Sequence, residues 1–216
     1  MGDPDGATFF FMHIMKTAGT SFARHLDERF APEAIYPSPS APPPVHQEQY
    51  WKIAPLRELD PEVRARTRLY HGHLPFLVGD LVGADVTITI LRDPVERTIS
   101  HIRHCQRHLP AHRDASDEAV YDDGWLHPLF FRNYQIKQFA ITAADKPKAH
   151  NEDLTVDADR ERLAVANLDR VDLFGLTERY GEFLELTAQR YGWRVGTQRR
   201  LQAAPPSEPV SSALRE

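Results

Sequence analysis

The sequence is poor in cysteine and has no long apolar run. Cys105 is the only cysteine among 216 residues, so a disulfide within the chain is excluded and a reducing compartment is the expected environment. No stretch approaches the ~20 apolar residues that a membrane-spanning helix requires. The first residues, MGDPDG, show neither the basic and apolar regions of a secretory signal nor the serine or threonine of a myristoylation signal. We therefore expect a cytoplasmic protein with no membrane partner.

Positive charge is scarce as well. The chain has five lysines and a formal net charge of −5, which argues against a nucleic-acid partner because such proteins are usually basic. A few local positive groups are still enough to hold a small anionic ligand. Hydrophobic residues make up 41% of the chain and charged residues 26%, which supports a packed core and excludes disorder throughout. A chain of this length is expected to form one domain, residues 1–216.

Apolar periodicity predicts strands that alternate with helices. The first strand is expected at 7–14 and a helix with an apolar face at 20–30. Further strands are expected at 68–72, 86–91 and 171–176, with helices at 94–108, 126–142, 158–169 and 180–191. This alternation predicts an α/β fold in three layers, with a central parallel sheet flanked by helices. The six prolines within 32–44 predict an extended surface connection, and a loosely held tail is expected at 203–216.

The first strand–loop–helix carries the segment KTAGTS, which suits an anion. The start of a helix offers unpaired N–H groups and the positive end of its dipole, so phosphate or sulfate can bind there. Within the segment Lys16 adds charge, Gly19 allows close backbone approach, and hydroxyls come from Thr17, Thr20 and Ser21. This is not a Walker A loop, because Lys16 stands three residues before the glycine. An ordinary strand-to-helix turn with a Ser/Thr cap is the alternative.

A second candidate anion site follows the predicted strand 86–91. Arg92 stands at its carboxyl end, where ligands bind in open α/β sheets. Pro94 suits the first turn of a helix, and Ser100 then lies about two turns along it. An arginine fork with a hydroxyl is a suitable cradle for a phosphate monoester.

The two motifs, HxxKTAGTSF and LRDPxxRxxS, together resemble those of the sulfotransferases that use 3′-phosphoadenosine-5′-phosphosulfate (PAPS). The similarity is greatest to the heparan and uronyl 2-O-sulfotransferase-like branch and its small bacterial relatives. It implies a P-loop-type fold. It also implies that the 5′-phosphosulfate is held by Lys16, Thr17, Ala18, Gly19, Thr20 and Ser21, and the 3′-phosphate by Arg92 and Ser100. Two further stretches, YHGH at 70–73 and LFGLTE at 173–178, match as well, whereas Met15 replaces a proline usual in the family.

Two histidines around Gly72 are candidate catalytic groups. Their spacing of two places His71 and His73 on one face of a strand, and imidazole suits a general base because its pKa lies near neutrality. A pair of structural histidines is the alternative reading. The resemblance implies that this stretch supplies the base; we assign it to His73 and an assisting, orienting or acceptor-binding role to His71, with the order between them open.

A second group of histidines lies on the predicted helix 94–108 and just beyond it. His101, His104, His108 and His112 recur at steps of three, four and four, which predicts one face. That face is interpreted as a solvated or acceptor-facing basic surface; a zinc site is the alternative. We expect no metal.

The resemblance implies transfer of a sulfuryl group from PAPS to a hydroxyl, leaving 3′,5′-ADP. Thr177, or the region of Arg199 and Arg200, is expected near the adenine. The stretch 113–125 carries five acidic residues and one arginine, and is interpreted either as a lid that disfavours polyanions or as a solvated loop. The lid would favour a small acceptor such as a sugar, nucleoside or natural product. Another P-loop phosphotransferase and a non-catalytic nucleotide-binding module remain alternatives.

Overall fold

The computed structural model describes residues 6–145 and 154–193, and one parallel sheet organises them. Its strands are β1 (Phe9–Met12), β2 (Ile35–Tyr36), β3 (Leu69–Gly72), β4 (Val86–Leu91) and β5 (Leu173–Leu176). They lie in the order β2-β3-β1-β4-β5, and every neighbouring pair is parallel. The predicted α/β class and parallel sheet are confirmed. The tail predicted at 203–216 lies outside the described residues.

Helices connect and cover the strands. They are α1 (Gly19–Asp27), α2 (Pro43–Trp51), α3 (Ala54–Arg57), α4 (Pro61–Arg66), α5 (Leu77–Val82), α6 (Pro94–His108), α7 (Asp117–Tyr121), α8 (Tyr134–Ala140), α9 (Ala158–Leu168) and α10 (Tyr180–Tyr191). The predictions for α1, α6, α9 and α10 agree with these bounds to within three residues, whereas α2 to α5 and α7 were not predicted. Within the described part of the chain, no helix is long and apolar enough to cross a membrane.

The central strand β1 is apolar on both sides because helices cover both faces of the sheet. Phe10 and Met12 belong to one buried cluster, which α5, α6 and α8 complete. Phe9 and Phe11 belong to the opposite cluster, together with side chains of α1 and α10. Successive side chains of a strand alternate between its faces, so a strand that is covered on both sides is apolar at most of its positions. The run of four apolar residues in β1 follows from this central place.

The proline-rich segment 32–44 is more ordered than an extended connection, so that prediction is wrong in part. It contains β2, whose Ile35 pairs with Leu69 of β3 and is buried at the edge of the sheet. It also contains the start of α2 at Pro43. Prolines are compatible with both elements, because an edge strand and the first turn of a helix each leave some N–H groups unpaired.

The single helix predicted over 126–142 is wrong. A π-helical turn, His127–Phe131, comes first, and α8 begins only at Tyr134. Between them Arg132 is extended and Asn133 adopts a left-handed φ of 53°. Asparagine tolerates this conformation better than most residues. The π-helical turn can therefore end and α8 begin here while the apolar side chains of both stay buried.

Candidate functional site

The candidate site residues lie where three neighbouring parallel strands end. The loop that contains Lys16 follows β1, His73 follows β3, and Arg92 follows β4. Because β1 lies between β3 and β4, these three segments meet at one edge of the sheet, the edge at which ligands bind in open α/β folds. The two motifs are in direct contact, since Nη1 of Arg92 donates to the carbonyl of Lys16 at 3.3 Å.

The loop before α1 has an unusual backbone. Lys16 and Ala18 both adopt a left-handed φ of 66°, which is uncommon for residues other than glycine. Ala18 is also the residue from which α1 begins. Left-handed residues within a turn make successive N–H groups converge, and such concave turns bind anions. The hydroxyl of Thr17 donates to the carbonyl of Ile14 at 2.8 Å, so its hydrogen stabilises the loop rather than a ligand.

Met15 stands where the similar sulfotransferase motifs usually have a proline, and it lies close to α8. Burial in the first turn of α8 raises the pKa of Tyr134, while Arg97 and the nearby backbone N–H of Met15 act in the opposite direction. A proline at this position has no N–H to donate. The N–H of Met15 in the loop before α1 therefore lies near the Tyr134 hydroxyl, a proximity that nothing in the local sequence around either residue indicated.

Positive charge gathers at this edge with little compensation. Burial, then Arg107 and Arg92, lowers the pKa of Lys16 to about 8. Of the neighbours that affect this pKa only the Cys105 thiol acts in the opposite direction, and no carboxylate of the described residues does so. Glu178 lies 3.9 Å from Nε of Arg92, at the outer limit of an ion pair. A group of cations with few nearby carboxylates is stabilised by a bound anion.

Arg97 adds a third cation, a buried one, that was not among the predicted site residues. It is 1% exposed, its guanidinium lies 4.7 Å from the centre of the Tyr134 ring, and it donates to the carbonyl of Phe130. Nη1 has no hydrogen-bond partner within the described residues. Burial lowers its pKa to about 10, and Arg92 acts in the same direction. Arg97 is the second arginine of the motif LRDPxxRxxS, and that position in the sequence could have indicated a role in the site.

Arg92 and Ser100 are held on rigid elements. The backbone N–H of Arg92 donates to Oε1 of Gln135 at 3.1 Å, and Nε2 of Gln135 donates to the carbonyl of Arg92 at 2.8 Å. The side chain of Asp93 caps α6 by accepting from the N–H of Glu96, and Pro94 occupies the first turn, as predicted. Ser100 is half-buried about two turns along the same helix.

His73 stands just beyond β3, and one hydrogen bond fixes the tautomer of its neutral ring. Its Nδ1 lies 2.7 Å from the carbonyl oxygen of His13. A carbonyl can only accept, so Nδ1 carries the hydrogen and the neutral ring has its lone pair on Nε2. The ring is half-buried, and its centre lies 4.3 Å from that of His13 and 4.1 Å from that of Trp51. A neutral imidazole of this kind can act as a general base.

His71 lies on the same side as His73 but in a different environment. The two rings pack edge-on against the ring of Tyr50, at 5.5 and 5.0 Å, which agrees with their predicted common face. His71 is 3% exposed, and its Nε2 lies 3.1 Å from Oδ1 of Asp27 at the end of α1. The half-buried His73 is therefore the more accessible of the two.

The histidines of α6 form the predicted face only in part. Ring centres of His101 and His104 are 6.0 Å apart, and those of His104 and His108 are 4.4 Å apart. His112 lies beyond the end of α6, and its Nε2 is 3.5 Å from Asp123. Across residues 6–145 and 154–193, no three or more His, Cys, Asp or Glu side chains are arranged to hold a metal ion.

A basic surface is the wrong interpretation for the two histidines nearest the site. Burial and, less strongly, Arg97 hold the pKa of His101 well below its usual range, and its ring packs against Phe130 at 5.0 Å. Burial, then Lys16, lowers the pKa of His104 to about 4. Both rings are neutral at pH 7 and add polar, uncharged surface next to the cationic group.

The acidic stretch 113–125 is attached to α6. Asp117 lies 3.1 Å from Arg103 and accepts from Gln106 at 2.9 Å. Asp123 contacts His112 and accepts from the backbone N–H groups that follow it. Trp125 at the end of the stretch is 61% exposed. Its role as a lid stays a prediction.

An apolar cavity of about 510 Å³ adjoins Arg92. The ends of β4 and β5 and the helices α8 and α9 form it, with Leu91, Phe139 and Leu168 among its lining side chains and Glu178 at its polar rim. The hydroxyl of Thr177 donates to the carbonyl of Leu91 at 3.1 Å, which joins the two strand ends. Arg199 and Arg200, the other residues expected near the adenine, lie outside the described residues.

No protein-family model matches this chain, and a search of curated proteins finds no match to it.

Proposed function

We propose that the protein transfers a sulfuryl group from PAPS to a hydroxyl of a small acceptor. One observation carries this proposal: Arg92 donates to the carbonyl of Lys16, so the two motifs form one cationic group beside His73, whose Nδ1 donates to the carbonyl of His13. The resemblance of the motifs to those of PAPS-dependent sulfotransferases agrees with this arrangement. The loop between β1 and α1, which we call the anion loop, follows the central strand of the sheet, and this position also supports a P-loop-type fold.

Each part of the donor has a suitable group near it. The 5′-phosphosulfate would bind at the loop and first turn of α1, which carry Lys16, Thr20, Ser21 and the backbone N–H groups of a helix start. The 3′-phosphate would bind between Arg92 and Ser100, since a guanidinium presents paired donors to phosphate oxygens. The apolar cavity next to Arg92 has room for a planar base, so adenine is its proposed occupant.

The chemistry follows from the two sides of the site. Nε2 of His73 takes the proton of the acceptor hydroxyl, and the oxygen forms a bond to sulfur while the bond between sulfur and the bridging phosphate oxygen breaks. Negative charge develops on that bridging oxygen. Lys16 and the N–H groups of the loop would stabilise that charge. Stabilisation of developing charge by groups already in position is often the largest contribution to enzyme catalysis. The products are a sulfate ester and 3′,5′-ADP.

The acceptor side is built differently from the donor side. Trp51 and Tyr50 lie around His73, together with His13, whose pKa is held well below its usual range by burial and by neighbouring histidines. These groups are neutral and aromatic, whereas a sulfated polymer requires a row of cations. A small uncharged sugar, nucleoside or natural product is therefore the proposed acceptor class.

Calorimetry and mass spectrometry test this function. We expect 3′,5′-ADP to bind at least tenfold more tightly than 5′-AMP, and PAPS to add one SO₃ group to an acceptor in a panel of small hydroxyl compounds. Preference for ATP with magnesium would instead indicate a phosphotransferase. Binding of 3′,5′-ADP without any sulfated product from PAPS would indicate a nucleotide-binding module.

A further inference from the structure

One tyrosine joins the three histidines on the acceptor side. The hydroxyl of Tyr50, near the end of α2, lies 2.5 Å from Nδ1 of His13. Its backbone carbonyl accepts from the N–H of His73 at 2.8 Å. Its ring packs edge-on against His71 and His73, and also against His13 at 5.9 Å. Tyr50 therefore contacts His73 through both its backbone and its side chain.

His13 also contacts His73, and it connects His73 to the anion loop. Its carbonyl accepts from Nδ1 of His73, and its own N–H donates to the carbonyl of Gly72 at 3.0 Å. Its imidazole occupies the space next to Gly19, where an added Cβ would lie 2.1 Å from Cδ2 of the ring. The position of the His13 ring is thus set by the first turn of α1 on one side and by Tyr50 on the other.

The glycine between the two candidate histidines is explained by the same arrangement. A Cβ on Gly72 would lie 2.7 Å from the carbonyl oxygen of Tyr50. Any side chain there would push the end of α2 away from β3, and the bond between that carbonyl and His73 would lengthen. Gly72 is therefore required for Tyr50 to approach His73.

We propose that Tyr50 and His13 are positioning residues that hold His73 with its hydrogen on Nδ1 and its lone pair on Nε2, at a fixed place relative to the anion loop. A neutral imidazole exchanges between two tautomers, and a hydrogen bond to one nitrogen selects which of them is present. Tyr50 acts by holding the His13 ring, and His13 acts through its carbonyl. The catalytic meaning of this arrangement rests on the proposed function, whereas the tautomer itself does not.

The deciding experiment compares Tyr50→Phe with the wild-type protein by ¹⁵N NMR of the histidine rings. The substitution keeps the ring contacts and the backbone bond and removes only the hydroxyl next to His13. We expect Nε2 of His73 to be unprotonated in the wild type and partly protonated in the variant at the same pH. Tyr36→Phe is the matched control, because the buried Tyr36 hydroxyl on β2 has no partner in the described residues and should leave His73 unchanged.

Gly72→Ala provides a second, independent readout. We expect it to weaken the bond from His73 to the carbonyl of Tyr50, so that the amide hydrogen of His73 exchanges at least tenfold faster than in the wild type. An unchanged His73 tautomer in Tyr50→Phe together with unchanged amide exchange in Gly72→Ala would overturn the proposal.

Rates of sulfuryl transfer distinguish a failure of the positioning role from a failure of the proposed function. With PAPS and methyl glucoside as the probe acceptor, we expect the Tyr50→Phe variant to transfer sulfuryl groups about tenfold more slowly, with 3′,5′-ADP affinity within twofold of the wild type. If the wild type neither binds 3′,5′-ADP nor transfers sulfate, the proposed function fails. The NMR result for Tyr50→Phe would then still decide whether Tyr50 and His13 set the tautomer of His73.

Discussion

The imidazole of His13 fills the space that a side chain at Gly19 would need. An added Cβ at Gly19 would lie 2.1 Å from Cδ2 and 2.5 Å from Nε2 of that ring, closer than real Cβ contacts allow. Sequence reasoning assigned Gly19 to close approach of an anion. The structure shows a further reason for this glycine, which is the packing of a histidine that itself contacts His73.

Gly19→Ala is expected to destabilise the protein although alanine favours helices. The clash with His13 should cost about 1–3 kcal/mol in the free energy of unfolding, measured with urea. Gly181→Ala is the control, because Gly181 lies in α10, where an added Cβ would meet no other part of the described chain within 4 Å, and its replacement should stabilise by about 0.5–1 kcal/mol. Equal stability of Gly19→Ala and the wild type would contradict the packing argument.

Affinity for 3′,5′-ADP should fall as the pH rises above 8. The pKa of Lys16 is lowered to about 8, first by burial and then by Arg107 and Arg92, so above this pH the unliganded side chain loses its charge. A bound phosphate favours the charged form, and binding therefore takes up a proton in this range. Calorimetry in two buffers of different ionisation enthalpy would measure that uptake directly.

Lys16→Arg is the control for this pH dependence. Arginine stays charged through pH 10, so the affinity of this variant should change little between pH 8 and 10. If wild type and Lys16→Arg show the same decline, another group is responsible for the pH dependence.

Arg92→Ala should lower the affinity for 3′,5′-ADP by about tenfold or more, because an arginine–phosphate pair contributes about 1.5–3 kcal/mol to binding. Affinity for 5′-AMP, which lacks the 3′-phosphate, should stay within twofold. Arg162→Ala controls for loss of a positive charge, since Arg162 is an exposed residue of α9 that pairs with Asp159. Equal weakening of both nucleotides would show that Arg92 does not contact the 3′-phosphate.

His73→Ala should reduce turnover by ~10²-fold or more while 3′,5′-ADP affinity is retained. His71→Ala should have a smaller effect on turnover, because His71 is buried and lies at ion-pair distance from Asp27. Steady-state rates with PAPS, together with calorimetry, distinguish the two variants. A fully active His73→Ala with an inactive His71→Ala would reverse the assignment of the base.

Small neutral glycosides should be better acceptors than desulfated heparin. The groups around His73 are aromatic or neutral, and the acidic stretch attached to α6 would repel a uronate polymer. A panel assay that detects sulfated products by mass spectrometry tests this. Saturable sulfation of the polymer with none of the small compounds would show that the acceptor class is wrong.

Local patterns predicted the elements that depend on neighbouring residues. The run of four apolar residues in β1, the apolar run of β4 and the apolar period of α10 each lie within one short segment, so their signal was complete in the sequence. β2 was missed because its two residues form a strand only by pairing with β3. The end of the π-helical turn before α8 was not predicted. Asn133 adopts a left-handed φ there, but asparagine also occurs within helices, so its presence in the sequence did not indicate a break.

The candidate site residues could be predicted from the sequence alone, since lysine, arginine, histidine and hydroxyl residues follow strand ends at recognisable spacings. The contacts and the charge states of those groups depend on the tertiary structure. Tyr50 and His13 are 37 residues apart, and their contact exists only because α2 packs against β3. His104 is neutral and Lys16 has a pKa of about 8 because both are removed from water near other cations. Burial and distance between segments are properties of the packed chain, and no local pattern encodes them.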